Sequence, residues 1–234
     1  MKIDLNADLG EREPPSRTRA LMALIDSANI ATGGHAGTVK TMDATIRLAL
    51  RRGVRIGAHP GFADGGRFGR AAMPLTPTGL EELLLQQVGV LDEVARRAGG
   101  TLHHVKLHGA LYHAVEEGAA LARSYAETVG QYFPGMKIYA FAGGQVVGAA
   151  QRAGVEVWGE AFADRGYLPD GRLIPRGEAG DVIVDSNEAL TRLDALLDRG
   201  SAEVRTVCVH ADSPNAVRLA RTLAAWLRQR SEEE

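Results

Sequence analysis

Residues Lys2–Leu9 read KIDLNADL, and this segment decides the fold. Strand alternation puts Ile3, Leu5 and Ala7 on one face and Asp4, Asn6 and Asp8 on the other. The apolar face can pack on helices. The polar face then points into the interior of a closed sheet, where a carboxylate is costly unless paired, hydrogen-bonded or metal-bound. The competing reading is an exposed edge strand whose polar side faces water.

Outward from this segment, short β-prone runs alternate with amphipathic runs along the chain. Strands are predicted at Lys2–Leu9, Ala28–Thr32, Arg55–His59, His103–His108, Lys137–Phe141, Val155–Glu160 and Thr206–His210. Helices are predicted at Ser16–Asp26 (from a capping serine), Thr38–Arg52, Thr78–Arg97, Tyr112–Tyr132, Gly144–Ala153, Ser186–Arg199 and Asn215–Arg230. Gly53, Gly99-Gly100 and Gly200 supply stop signals. Such alternation gives a parallel sheet with helices outside it. Seven βα units in 234 residues predict an α/β, TIM-like (β/α) barrel, seven-stranded or distorted, as a single domain over residues 1–234. A doubly wound open sheet is the structural rival. Two long connections, Gly61–Pro77 and Ala163–Gly180, follow strand carboxyl ends, where barrels carry their chemistry.

Composition excludes several classes. Apolar residues make up 45% and charged residues 24%, which is neither disordered nor fibrous. A net charge of −2 argues against a nucleic-acid or anionic-membrane binder. Cys208 is the only cysteine, so there is no internal disulfide and no cysteine-based zinc site. The start MKIDLNADLGERE has no apolar stretch of a signal peptide, and no run approaches the roughly 18 apolar residues of a bilayer span. A cytoplasmic location is expected.

The informative feature is where the seven histidines fall. His35, His59, His108 and His210 lie at or just after predicted strand ends. Lys106 shares a strand face with His108, and Glu160 closes the sixth strand ahead of Asp164 and Arg165. In a barrel these residues converge with Asp8 on one pocket. His103, His104 and His113 are read instead as strand start and helix surface.

Two chemistries fit the pocket. Asp8, His59 and His108 are candidate ligands for a divalent metal that activates water. Metal-free acid–base work is the alternative, with Asp8 or Glu11 as base and Lys106 or a histidine stabilising an oxyanion. No GxSxG elbow and no P-loop is present, and Cys208 reads as a buried mid-strand residue. Arg67 and Arg70, within Gly65–Arg70, suit a phosphate. Arg165, Arg172 and Arg176 suit a carboxylate or phosphate.

The ordered set DLNADLGE (Asp4–Glu11), SANIATGGHAG (Ser27–Gly37), GAHPGF (Gly57–Phe62), RFGR (Arg67–Arg70), VKLHGALY (Val105–Tyr112), EAFADRGYLPDGRLIPR (Glu160–Arg176) and VHADSPNAV (Val209–Val217) resembles the LamB/YcsF family. Thr32, Gly34 and Thr38 stand where that family usually has Cys, Phe and Asp, which argues against a cysteine mechanism there. The resemblance implies a TIM-like barrel that opens the 5-oxoproline (pyroglutamate) lactam to glutamate with ATP, together with two partner subunits, B and C. It implies that Asp8 and Glu11 handle protons or a metal, and that Lys106, His59 and His108 stabilise negative charge. Asn6, His35, Arg67, Arg70, Glu160, Asp164, Arg165 and His210 would then bind substrate or phosphate. Two rivals are a metal-dependent deacetylase or amidohydrolase on a distorted barrel, and a non-catalytic substrate-binding subunit. The oligomeric state, including a homo-oligomer, stays open at this point.

Overall fold

The first strand, β1 (Asp4–Leu9), is hydrogen-bonded on both sides, so it is not an edge strand. It pairs in parallel with β2 (Ser27–Ala31) and with β7 (Val204–His210). Between them β3 (Arg55–His59), β4 (Leu102–Lys106), β5 (Lys137–Phe141) and β6 (Val157–Phe162) complete a closed barrel in chain order. The expected TIM-like α/β barrel forms with seven strands, and the open doubly wound sheet does not. The structure is a computed structural model that describes residues 2–64, 66–169, 171–198 and 204–233. Gly65 and the predicted stop at Arg199-Gly200 lie outside the described residues.

Around the barrel run α1 (Pro15–Met22), α2 (Val39–Arg52), α3 (Pro77–Arg97), α4 (Gly109–Glu117), α5 (Ala119–Tyr132), α6 (Gln145–Arg152), α7 (Ser186–Asp198) and α8 (Ala216–Glu233). Thr38 caps α2 in a reciprocal capping box with Thr41, and Gly53 ends it at a left-handed φ of 66°. Three expectations need correction. Ser16 is not the cap of α1. Pro14 precedes that helix, and the Glu13 carboxylate accepts from the Gly10 and Glu11 backbone and the Thr18 hydroxyl. The single helix expected over Tyr112–Tyr132 is two, because Gly118 is extended (φ −108°, ψ 102°). Strand β4 stops at Lys106, so His108 becomes the residue before the first turn of α4.

The apolar core lies between the sheet and the helices. Leu5, Ala7, Leu9, Ile30, Val105, Ile138 and Val207 belong to it. Side chains on the other strand faces fill the barrel, and many of them are polar. Asp4 accepts from Ser27 Oγ at 2.7 Å, from Thr206 Oγ1 at 2.5 Å and from Arg55. Above it, Asn6 Nδ2 donates to Thr206 Oγ1 at 2.7 Å and to Glu160 Oε1 at 3.0 Å. Asn29 Nδ2 donates to Asn6 Oδ1 at 2.7 Å, and His104 Nε2 donates to Asn29 Oδ1 at 2.6 Å. The His104 ring stacks on Tyr139 with centroids 3.8 Å apart. His104 is therefore an interior residue with no exposure, not a strand-start surface histidine. A hydrogen-bonded interior of this kind admits few alternative registers.

The β3–β4 register shifts between Ile56 and Gly57, where the His104 ring crosses the strand. A Cβ on Gly57 would collide with that ring. Gly57→Ala is expected to cost at least about 1–3 kcal/mol in urea unfolding. Gly89→Ala, in α3 where an added Cβ meets nothing within 4 Å, is expected to gain about 0.5–1 kcal/mol. Equal stabilities for the two variants would contradict this packing.

Candidate active site

The carboxyl ends of the strands bring the charged groups together. Lys106 ends β4 with its side chain inside the barrel. Its ammonium donates to Asp8 Oδ1 at 2.8 Å and to Cys208 Sγ at 2.9 Å, and lies 3.0 Å from Glu160 Oε1. Burial alone would strip its proton, but the Asp8 and Glu160 carboxylates outweigh burial and hold the pKa well above the ordinary lysine value. Burial likewise pushes Asp8 up, yet His59 and Lys106 pull it well below the usual carboxylate range. Asn29 Nδ2 gives Asp8 Oδ1 a second bond at 2.7 Å. Burial raises the Cys208 thiol, so it stays protonated and is no nucleophile. Glu160 has no exposure and its Oε2 has no partner; the buried Tyr112 hydroxyl has none either.

Above this layer sit the imidazoles. His59, the last residue of β3, donates from Nδ1 to the Lys106 carbonyl at 2.9 Å. Its Nε2 lies 3.4 Å from Asp8 Oδ2 and 3.0 Å from His108 Nδ1. His108 donates from Nε2 to the Phe68 carbonyl at 2.8 Å. The chain turns past β1 at Gly10 (φ 75°), which brings the Glu11 carboxylate over the same point. Glu11 Oε1 lies 2.8 Å from His35 Nε2, 3.3 Å from His108 Nδ1 and 3.7 Å from His59 Nε2. The His35 and His108 rings are stacked, 3.6 Å apart and 3° from parallel. Burial raises the Glu11 pKa to about 7, against the pull of His59. Burial, with His59 nearby, lowers His35 to about 3.

On the other side of Asp8, His210 ends β7. Its Nε2 is 3.8 Å from Asp8 Oδ2, while its Nδ1 bonds Asp164 Oδ1 at 2.8 Å. Asp164 Oδ2 accepts from the His210 backbone at 3.0 Å and from Ser213 Oγ at 2.5 Å. Burial would raise Asp164, but His210 and these bonds lower it to about 2.

The first long connection covers the imidazoles. Phe68 takes a left-handed φ of 62° and packs edge-on against His35 and His108. The Arg12 and Arg70 guanidiniums lie over the Phe68 ring at 4.6 and 4.9 Å. Arg70 donates to Asp212, tying this loop to the segment after β7. Arg67 is exposed, with Nε on the Asp64 carbonyl. Arg165 is buried and spent on the loop itself, donating to the Asp181 and Ile174 carbonyls. It does not point a free guanidinium at the cluster.

The structure thus brings Asn6, Asp8, Glu11, His35, His59, Lys106, His108, Glu160, Asp164 and His210 into one continuous set. Arg67 and Arg70 stand at the rim, and Arg165 stands apart. Asn29, His104 and Tyr112 are the residues of this set that sequence reasoning missed. His104 was within reach, since it lies two residues before Lys106 on one strand face. Asn29 also lay within reach, since it alternates with Ala28 and Ile30 in the second strand, whereas Tyr112 carried no local signal.

This is a parallel β/α barrel protein whose interior carries charged groups up to a buried imidazole–carboxylate cluster at the carboxyl ends of the strands, the face on which such barrels place their active sites. The chain belongs to the LamB/YcsF family, whose sequence profile matches residues 3–233. It is 43% identical to the A subunit of 5-oxoprolinase from Methylococcus capsulatus, over 97% of this chain and 93% of that one. The crystal structure of the lactam utilization protein from Thermus thermophilus superposes with a TM-score of 0.88 at 36% identity, over 99% of this chain and 98% of that one. A family 4 carbohydrate esterase from Streptomyces lividans shares the fold alone, with a TM-score of 0.53 at 10% identity over 98% of this chain and 88% of that one. No helix among the described residues is long and apolar enough to cross a membrane.

Asp164 gives a pH prediction. A carboxyl whose folded pKa is lowered adds stability above its unfolded pKa and loses it as pH falls through the folded one. From the ordinary value of 3.8 down to about 2, the lost stability is about 2–3 kcal/mol. Asp164→Asn should lower stability at pH 7 by an amount of this order and flatten the acid limb between those pH values in urea unfolding. An unchanged acid limb would contradict the assignment.

Proposed function

We propose that this chain is the A subunit of a cytoplasmic 5-oxoprolinase. It opens 5-oxo-L-proline to L-glutamate at the expense of ATP, in a complex with B and C subunits. The observation that carries this reading is the buried Lys106–Asp8 pair at the foot of a histidine cluster, in a chain 43% identical to a relative bearing that name. The two chains match over nearly their whole lengths, which supports carrying over the whole activity and not a fragment of it.

A lactam carbon is a weak electrophile. Transfer of the ATP γ-phosphoryl group to the lactam oxygen makes that carbon reactive. Water then adds to it, and the ring C–N bond breaks as the nitrogen takes a proton. The acyl phosphate left behind is hydrolysed by a second water. Asp8, held ionised, accepts a proton from the attacking water. Lys106 and His59 offset the negative charge that develops on oxygen. The two unpartnered buried groups, Glu160 Oε2 and the Tyr112 hydroxyl, take the lactam N–H and a substrate oxygen. Arg67 and Arg70 at the rim suit the phosphate. The cluster is almost fully buried, so substrate enters when the Phe68 loop lifts and the Arg70–Asp212 tie opens.

Turnover of 5-oxoproline and ATP is the test, first with this chain alone and then with its B and C partners. Glutamate should form in the complex, and none in either case would overturn the reading. Lys106→Met should lower turnover by about 100- to 1,000-fold with the complex still assembled. Unchanged turnover would remove the catalytic role. Tyr112→Phe should raise KM for 5-oxoproline by about tenfold while kcat changes little.

A further inference from the structure

Three donor atoms converge over the barrel mouth from three separate segments. They are His59 Nε2 at the end of β3, His108 Nδ1 at the start of α4, and Glu11 Oε1 beyond β1. Their separations are 3.0 Å (His59–His108), 3.3 Å (His108–Glu11) and 3.7 Å (His59–Glu11). Ligands held at about 2.0–2.2 Å around a tetrahedral ion stand roughly 3.3–3.6 Å apart. The three separations bracket that spacing, so small side-chain shifts would bring all three atoms onto one ion.

The protons on the two rings are fixed from behind. A backbone carbonyl only accepts, so His59 Nδ1 carries the hydrogen it gives to Lys106, and His108 Nε2 carries the one it gives to Phe68. When both rings are neutral, the inward nitrogens carry the lone pairs. Two nitrogens 3.0 Å apart, with a carboxylate oxygen beside them, call for a positive species between them, either a proton shared by the rings or a metal ion. The rings are perpendicular, 90° between planes, so both lone pairs can meet at one point. Imidazoles whose far N–H is held by a carbonyl are the usual accompaniment of histidine ligation.

His35 is not part of the triangle. Its ring lies parallel on His108 at 3.6 Å, so one ion cannot lie in the plane of both. Its Nε2 instead donates to Glu11 Oε1 at 2.8 Å and orients that carboxylate. The neighbouring group of Asp8, Cys208 and His210 is a poor site. The Lys106 ammonium already occupies it, 2.8 Å from Asp8 and 2.9 Å from Cys208.

We propose that Glu11, His59 and His108 hold one divalent transition-metal ion with an open fourth position flanked by Asp8 Oδ2. Two imidazoles and one carboxylate favour zinc, or cobalt in its place, over magnesium or calcium. Glu11 thus replaces Asp8 in the ligand set expected from sequence, because Lys106 and Asn29 already engage Asp8 Oδ1. Metal binding here stands apart from the reaction proposed above. Metal titration reads the one, and glutamate formation reads the other.

The test is titration of the chelator-stripped full chain with zinc by calorimetry and with cobalt(II) by visible absorption. One equivalent should bind, and cobalt should give the intense bands of a four-coordinate site. Glu11→Gln and His108→Ala should each weaken binding by on the order of 100-fold or more, with folding checked by thermal melting. His103→Ala, outside the cluster, should bind as the parent does. Zinc-edge X-ray absorption of the unmodified protein needs no variant and should report two imidazoles and one carboxylate. Absence of a bound equivalent would overturn the proposal and leave a shared proton in the cluster. Equal binding by folded Glu11→Gln and His108→Ala, or an edge spectrum without imidazole, would overturn it as well.

Discussion

The interior of this barrel is organised around one ammonium group. Lys106 Nζ is buried among Asp8, Glu160, Asn6 and Cys208, and each of these comes from a strand other than its own. A buried ion pair is not a cheap source of stability, because desolvation of both charges offsets most of their attraction. What it supplies here is position. Asp8 fixed by Lys106 also accepts from Asn29, Asn29 accepts from His104, and His104 stacks on Tyr139. The chain of contacts runs on through Ser27 to Asp4 at the far end of the barrel. Each layer is satisfied by the next, so removing one partner strands the others.

This polar interior explains why the charged groups and imidazoles at the mouth stand where they do. The cluster at the mouth is the top of a stack that begins at Asp4, not a decoration added to an apolar barrel. Its imidazoles are set by backbone carbonyls at Lys106 and Phe68, one from the sheet and one from a covering loop. The second of these couples the state of the cluster to the Phe68 loop. The same loop carries the carbonyl that holds the far nitrogen of His108. The Arg70–Asp212 pair joins that loop to the segment after β7.

Much of this was legible in the sequence. The alternation in Asp4–Leu9 gave an inward face of two acids and an amide, and the strand-end histidines followed the same logic. Strand phase was also enough to place His104 inside, two residues before Lys106, although proximity to the strand start suggested otherwise. Other features depend on contacts no local pattern encodes. Phe68 covers His108 through a loop, Tyr112 reaches the barrel from a helix, and Arg165 is consumed by carbonyls of its own loop. The closeness of the Glu11 carboxylate to the histidines has the same origin. Asp8 is the nearer strand residue, but its Oδ1 is committed to Lys106 and Asn29, and only the fold reveals that commitment.

The central claim is that Lys106 and Asp8 are mutually required, and a double-mutant cycle measures it directly. Unfolding free energies of the parent, Asp8→Asn, Lys106→Met and the double variant give the coupling. Each single variant should lose about 3–5 kcal/mol, because it leaves the other charge buried and unpaired. The double variant should lose far less than the sum of the two. Additive losses would contradict the account.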